Sequence, residues 1–351
     1  KISGVWIMAY TTIDDGSAYF HTQLYTGNGG TQSITNDANA GDFKPDFVWI
    51  KERSSTSNHV AQDSTRGSSS ALFPSLNNAQ SSTGNFVTSF DTDGFTSGNN
   101  GGTNESSQTY VAWQWKANGG TTSTNTDGSE NSTVQVNSTA GFSIVKRTGT
   151  GSAGATYGHG LGVEPEVIIN KGLNSNEWYS YFKAMGAGTH WIGLEADAAK
   201  VDDANMWNDT DATSSVFTVG NSGGSNGSSV EYIAYCFHSV QGYSKFGKYT
   251  GNGSTDGPFV YTGFKPAWIL FKNTGSTTSW RIIDNKRDTR NGAEARLFPD
   301  NSDAENTSAV VLDILSNGFK IKTTNGGANT NGVEYIYMAF AEHPFVSSKG
   351  V

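Results

Sequence analysis

Four short sequence markers occur three times in this 351-residue chain, in the same order and with matched spacing. The clearest marker is a proline followed by an apolar run, at Pro45, Pro165 and Pro266. A turn before the proline begins at Tyr25, Arg147 and Tyr249. An aromatic residue follows a later turn at Phe95, Phe217 and Phe319, and a final apolar stretch begins at Tyr110, Tyr232 and Tyr335. Because all four markers shift by nearly the same number of residues from one copy to the next, the pattern predicts a tandem array of one unit of about a hundred residues.

The repeat predicts three domains that are joined by connections of unequal length. The predicted domains are residues 20–116, 142–238 and 243–343. Residues 117–141 are rich in Gly, Ser, Thr and Asn, which is typical of a flexible linker, although residues 133–136 have the pattern of a short strand. We expect residues 1–19 to form a strand or anchor that docks on the first unit or on a neighbour, and residues 344–351 to form a tail.

Each unit has the composition and periodicity of short strands. The chain contains 43 glycines and 12% aromatic residues, which favours strands and turns over helices. In the last strand of the first unit, Val111, Trp113 and Trp115 alternate with smaller or polar residues, so we expect the large side chains to share one face. The apolar run after Pro165 predicts a strand buried on both faces. The fold class is therefore predicted to be all-β, with three tandem β-sandwich units of the jelly-roll or lectin-like kind.

Charge and composition argue against several classes of function. The formal net charge is -9, the pI is about 5.1 and no basic cluster occurs, so nucleic-acid binding is not expected. No apolar run approaches the roughly 18 residues that a spanning helix needs, so membrane insertion is not expected either. The single cysteine, Cys236, excludes an intrachain disulfide framework and is expected to be a small strand residue.

No constellation in the sequence predicts catalysis. The six histidines are scattered, and no nucleophile-elbow motif occurs, so the chain is not expected to be an enzyme. One acidic loop of the second unit has the carboxylates that Ca²⁺ prefers, and the alternative is a solvated surface loop. Calcium is the one cofactor considered, and its candidate ligands are Asp202, Asp203, Asp209 and Asp211, with Asp197 nearby.

An aspartate stands three residues before an arginine at matched places in two units. Asp63 and Arg66 follow Pro45 at the same distance as Asp284 and Arg287 follow Pro266. This spacing in a turn predicts a local ion pair, and the alternative is a binding motif shared by both units.

Aromatic residues in polar loops give the strongest indication of a ligand. Rings of Trp and Tyr beside Asn and Asp suit sugars, because the ring stacks on C–H groups while polar side chains bind hydroxyls. The alternative is that these rings pack in cores and between units. The candidate glycan-binding residues are Trp178, Tyr181, His190, Trp191, Trp207 and Trp280.

Several phrases of the second and third units resemble a known family. Residues 158–165 (Gly-His-Gly-Leu-Gly-Val-Glu-Pro), 249–253 (Tyr-Thr-Gly-Asn-Gly) and 263–268 (Gly-Phe-Lys-Pro-Ala-Trp) resemble an uncharacterised repeat domain in virion proteins of marine tailed phages, including cyanophages. These proteins are often described as tail or fibre proteins. The first unit fits less closely, because residues 39–42 depart from the Gly-His-Gly pattern. The resemblance carries over no functional residues, and it implies a location in a virion appendage with a homotrimeric assembly.

The favoured hypothesis is therefore a phage virion structural protein: a tail fibre, spike or capsid decoration that presents its loops to a host-surface glycan. Repeated weak sites would act at high effective concentration. The expected partners are further copies of the chain in a trimer, other virion proteins and a host-surface polysaccharide. One alternative is a purely architectural component without a ligand. Another is a polysaccharide depolymerase, which would need two carboxylates facing each other in a groove.

Overall fold

The chain folds into several separate antiparallel sheets and is all-β in character. The computed structural model describes residues 11–13, 15–37, 42–174 and 176–341. The predicted anchor at residues 1–19 lies largely outside this part of the chain, and the predicted tail at residues 344–351 lies wholly outside it.

The strands have the following bounds in chain order. In the first part they are β1 Phe20–Thr26, β2 Gln32–Ile34, β3 Phe47–Glu52, β4 Val60–Asp63, β5 Ala71–Leu72, β6 Val87–Phe90, β7 Phe95–Ser97 and β8 Thr109–Trp115. In the middle they are β9 Ser123–Asn125, β10 Ser132–Asn137, β11 Phe142–Thr148, β12 Ala155–Gly158, β13 Val167–Gly172, β14 Trp178–Phe182, β15 His190–Gly193, β16 Val201–Asp202, β17 Val216–Val219 and β18 Glu231–Phe237. In the last part they are β19 Ser244–Thr250, β20 Phe259–Tyr261, β21 Pro266–Asn273, β22 Arg281–Asp284, β23 Leu312–Leu315, β24 Gly318–Ile321 and β25 Glu334–Ala341.

One order of strand pairing occurs in three segments, which we define as residues 20–116, 142–238 and 243–341. In each segment the first strand pairs with the last, and the last pairs with the strand after the proline, giving β1-β8-β3-β4, β11-β18-β13-β14 and β19-β25-β21-β22. A small sheet packs against each large one: β2-β7-β6, β12-β17 and β20-β24-β23.

Each segment also has a single-turn helix just before its last strand. These helices are α1 Gly101–Asn104, α3 Gly223–Asn226 and α4 Gly326–Asn329, and α2 Ala204–Trp207 lies in a loop of the second segment. The buried amide of Asn329 accepts a 2.7 Å hydrogen bond from the backbone N–H of Asn252, and Asn104 and Asn226 make the corresponding bonds to Asn28 and Thr150. This contact holds the glycine turn of the first marker. Within the described ranges, no helix is long and apolar enough to cross a bilayer.

The connection between the first two segments is ordered. Strands β9 and β10 extend the large sheet of the second segment, and β10 pairs with β11 with Val134 opposite Val145. The prediction of a flexible linker over residues 117–141 is therefore wrong, while the predicted short strand at residues 133–136 is confirmed within β10. The alternating valines of this stretch pack into the second segment's core, and this burial outweighs its polar composition.

The strands after the prolines are buried along their whole length. This holds for β3, β13 and β21, as the sequence predicted for the run after Pro165. One face of each strand packs against the small sheet of its own segment, and the other face packs into a core that all three segments share.

The last strand of each segment divides its side chains between these two cores. In β8, Trp113 and Trp115 belong to the shared core, whereas Tyr110 and Ala112 belong to the first segment's own core. The predicted alternation is confirmed, and the structure adds that the larger residues face the other segments. Strands β18 and β25 divide their residues in the same way.

Three aromatic rings meet at the middle of the shared core. They are Trp115, Phe237 and Phe340, which lie in β8, β18 and β25, respectively, and each strand contributes one ring. The ring centroids are 6.5 Å apart for Trp115 and Phe237, 6.0 Å for Phe237 and Phe340, and 5.8 Å for Phe340 and Trp115. All three pairs are edge-to-face, which is a favoured geometry for aromatic rings. We call these three residues the ring triangle.

We expect the three segments to unfold together, because the ring triangle belongs to all of them. Phe340→Ala should lower the free energy of unfolding by about 3–5 kcal/mol, since it opens a cavity in a fully buried site. Phe340→Leu, the matched control, should cost clearly less because it keeps most of the volume. Calorimetry should show one transition for the wild-type chain, and separate transitions for the segments would contradict this expectation.

Candidate functional site

The clearest concentration of buried polar chemistry lies at the junctions between segments. At each junction, a ring from the first residue of the fourth strand (β14), or from the residue just before it (β4 and β22), donates to a backbone carbonyl of a neighbouring segment. The three contacts are His59 Nε2 to Phe298 O (3.0 Å), Trp178 Nε1 to Phe73 O (3.0 Å) and Trp280 Nε1 to Gly193 O (2.7 Å). The first joins segment one to three, the second joins two to one, and the third joins three to two. The contacts therefore run in a closed circle.

The histidine in this circle is held neutral and in one tautomer. Trp49 Nε1 donates to His59 Nδ1 at 2.9 Å, which leaves the Nε2 proton to be donated to the carbonyl. Burial holds the pKa of His59 well below its usual value. His59 therefore serves as a hydrogen-bonding counterpart of the two tryptophans, in a fully buried site.

The predicted ion pair of the first segment lies at its junction with the second. Arg66 Nε is 2.6 Å from Asp63 Oδ2, and both side chains are almost fully buried. Tyr235 of the second segment donates its hydroxyl to the same carboxylate oxygen at 2.8 Å. The neighbouring Asp63 carboxylate, with its hydrogen bond, helps to raise the pKa of Arg66 despite burial. The pair is thus a structural contact between two segments.

The ion pair of the third segment makes the corresponding contact with the first. Arg287 Nε is 2.6 Å from Asp284 Oδ2, and Trp113 Nε1 donates to that oxygen at 3.0 Å. In the second segment, Phe182 has the register position of the aspartates, opposite Val167. Two junctions therefore bury a carboxylate–arginine pair, and the third has Phe182 in the place of the carboxylate.

Three buried lysines are the second-to-last residues of β3, β13 and β21. They are Lys51, Lys171 and Lys272, and each ammonium donates to backbone carbonyls. Burial lowers the pKa of each to about 8. Glu195 and Asp300 lie nearby in the second and third segments, and burial raises their pKa values to about 7 and about 6. Perturbed pKa values can mark catalytic groups, but here the buried lysine occurs once per segment, as a structural element would.

A buried cation in the second segment replaces a tyrosine of the other two. Arg147 Nη2 donates to Ser225 O at 2.7 Å, and its guanidinium lies 4.6 Å and 4.5 Å from the ring centroids of Tyr157 and Tyr232. Burial lowers its pKa to about 10. Cation–π contacts stabilise this charge, and Arg147 is therefore part of the core of the second segment.

Four of the six predicted glycan-binding residues are buried. This burial agrees with the alternative that the rings pack in cores and between units, because Trp178 and Trp280 extend into neighbouring segments while the rings of Tyr181 and Trp207 pack on each other with centroids 5.8 Å apart. His190 and Trp191 are half-buried in β15, and the Trp191 ring packs edge-on against Tyr179 at 4.7 Å. The residues that are buried are Trp178, Tyr181, Trp207 and Trp280.

The predicted calcium ligands have separate roles. Asp203 caps α2 by accepting a 2.9 Å bond from the backbone N–H of Asn205, and Asp211 accepts from the N–H of Gly188 at 3.1 Å. Asp202 lies in the edge strand β16, and Asp209 has a positive φ of 46° in the following turn. In the described part of the chain, no three His, Cys, Asp or Glu side chains are placed to hold a metal ion. The structure therefore does not assemble the predicted site.

The cysteine has the environment of a core residue, as predicted. Cys236 is fully buried in β18, and burial raises the pKa of its thiol to about 12. A thiol with this pKa remains protonated at neutral pH and is a poor nucleophile.

Two surface features complete the candidate sites. A polar cleft of about 520 Å³ lies beside β10 and β11, and the Lys146–Glu231 ion pair at 2.8 Å is part of its lining. Phe259 and Tyr261 in β20 are exposed aromatic residues that none of the sequence patterns above singles out. Aligning the three repeats position by position would have revealed them, because the first segment has Ser33 and Thr35 in the corresponding places.

Residues 15–344 match the family described as "Domain of unknown function (DUF7483)". No curated protein and no solved structure matches the chain.

We expect Asp63→Asn to destabilise the fold strongly, because it removes the carboxylate that pairs with buried Arg66. The loss should be about 3–5 kcal/mol in the free energy of unfolding, as measured by urea denaturation. Glu231→Gln, which breaks the partly exposed pair with Lys146, is the matched control and should cost less than about 1 kcal/mol. Equal losses in the two variants would contradict a structural role for the buried pair.

We expect stability to rise with pH in the mildly alkaline range. The pKa of each buried lysine is about 8 in the folded chain and 10.5 as an ordinary value, so the unfolded chain binds more protons between these values. From about pH 7.5 to about pH 9, the free energy of unfolding should increase by up to about 1.4 kcal/mol per pH unit for each lysine. Lys272→Met should reduce that slope by about a third, and a wild-type slope of zero would contradict the prediction.

Proposed function

The chain belongs to the DUF7483 family, and we propose that it is a non-enzymatic structural protein built from three copies of one β-sandwich module. In this proposal the modules close on one another into a single rigid body, and their loops face outward. The copies occupy residues 20–116, 142–238 and 243–343.

One observation supports this proposal above all: residues at equivalent positions of the three segments make equivalent contacts between the segments. The last strand of each segment contributes one aromatic ring to the ring triangle. Each segment also contributes one hydrogen-bond donor, at or just before the start of its fourth strand, to the circle of junction contacts. A catalytic site normally requires different groups to converge at one place. Here the recurring groups hold the segments together, as expected of a scaffold.

The burial of aromatic residues favours architecture over adhesion at the residues first considered. Three of the four tryptophans with which the sequence analysis supported glycan binding, Trp178, Trp207 and Trp280, lie in cores, and Trp191 is half-buried. Their rings stabilise the protein by filling cores and junctions, so a ligand-binding surface would have to be formed by other residues.

We further propose, on the resemblance to phage repeat domains, that this body is part of a virion appendage such as a fibre, spike or capsid decoration. Its partners would be other virion proteins and further copies of the chain in a trimer. The net charge of -9 supports this, because a charged polar surface keeps a protein exposed at high density soluble.

The proposal is tested by locating the protein and by assaying it for cleavage. Antibodies raised against the purified chain should label the surface of intact particles in immunogold images, and label confined to the interior of infected cells would contradict the location. Purified chain should release no reducing ends from surface polysaccharides. Cleavage that disappears in Glu195→Gln, which replaces a carboxylate whose pKa burial raises to about 7, would overturn the non-enzymatic assignment.

A further inference from the structure

The third segment exposes two aromatic rings on one strand. Among the described residues, the large apolar side chains with the greatest exposure are Phe259 at 46% and Tyr261 at 61%, followed by Val163 and Val201. Phe259 and Tyr261 are separated by one residue in β20, so their side chains leave the same face of the strand, about 7 Å apart along it. Val260, between them, points inward to the core of the third segment.

The local backbone lets these rings lie against the sheet. Strand β20 pairs with β24, with Phe259 opposite Lys320 and Tyr261 opposite Gly318. A Cβ atom built on Gly318 would lie 3.0 Å from Cε2 of Phe259, so the phenyl ring covers the position that a side chain would take there. The result is an open face with two rings, and we call it the β20 platform.

The fold itself does not require the two rings. Val260 pairs with Phe319 as Ile34 pairs with Phe95 in the first segment, which places Phe259 and Tyr261 at the positions of Ser33 and Thr35. In the second segment the same positions are Thr156 and Gly158. Two segments thus form this sheet with small or polar residues, whereas the third places two large rings there that remain 46% and 61% exposed.

The size and surroundings of the β20 platform fit a saccharide better than a protein. The exposed parts of the two rings amount to roughly 200 Å², whereas a stable protein interface needs about 800 Å² on each partner. Lys320, which lies opposite Phe259, is half-buried and forms an ion pair at 2.7 Å with the exposed Asp256, so the two side chains provide a donor and an acceptor for hydroxyl groups. We propose that the β20 platform binds a carbohydrate, with Phe259 and Tyr261 stacking on the C–H faces of sugar rings.

The test replaces Phe259 and Tyr261 with the residue types that the first segment has at the equivalent positions. The double variant F259S/Y261T installs Ser33 and Thr35 at their equivalents, so it should fold with a melting temperature close to that of the wild type. V163S/V201T is the matched control, because it removes the other two exposed apolar side chains, which lie in the second segment. Fluorescently labelled full-length proteins are applied to a glycan array that carries neutral hexose, N-acetylhexosamine and uronic acid oligosaccharides.

We expect the wild type and V163S/V201T to bind at least one class of glycan, and F259S/Y261T to bind on the order of tenfold more weakly. No binding by the wild type, or undiminished binding by F259S/Y261T, would overturn the proposal. Light scattering supplies another decisive outcome: self-association of the wild type that is lost only in F259S/Y261T would show that the rings are an interface between copies. None of these outcomes bears on the scaffold function, because the platform lies outside the shared core.

Discussion

The ring triangle of Trp115, Phe237 and Phe340 is the contact on which the rest of the structure depends. It forces the last strand of every segment to bury both faces, one against its own small sheet and one against the other segments. A sheet that is buried on both faces needs an apolar residue at nearly every position. This explains how a chain with only 35% hydrophobic residues concentrates them into a few short runs and leaves the connections polar.

Closure around this centre also explains the charges that are buried at the junctions. The carboxylates of Asp63 and Asp284 each accept a hydrogen bond from a neighbouring segment while pairing with an arginine of their own. Such pairs contribute less to stability than to geometry, because desolvation offsets much of the Coulomb attraction. The third junction has Phe182 at the corresponding place. Because the three junctions differ, each segment fits one particular neighbour. This favours one order of the three segments around the shared core over the alternatives.

The local pattern of the sequence predicted the strands well, and it predicted poorly what their outward faces touch. The alternation in β8 and the doubly buried run after Pro165 follow from periodicity alone. The burial of Trp178 does not, because the carbonyl that its indole binds belongs to Phe73, more than a hundred residues earlier in the chain. A ring in a polar loop looks the same in the sequence whether water or another segment covers it.

The remaining differences between prediction and structure have the same origin. The polar composition of residues 117–141 is typical of a flexible linker, but pairing of β10 with β11 makes part of this stretch a strand of the second segment's sheet. Asp203 looked like a metal ligand, and a single-turn helix uses its carboxylate as a cap. For the candidate sites, position-by-position comparison of the repeats carries the missing information, since a residue that differs at a solvent-facing place is not explained by the common fold.

The first strand of the first segment and the last strand of the third segment lie together. Phe20, at the start of β1, stacks on Phe340, near the end of β25, with centroids 5.2 Å apart. The start of β1 and the end of β25 are therefore close together in the shared core. A domain whose first and last strands are neighbours can be inserted into a loop of a larger protein without separating the two ends of that loop.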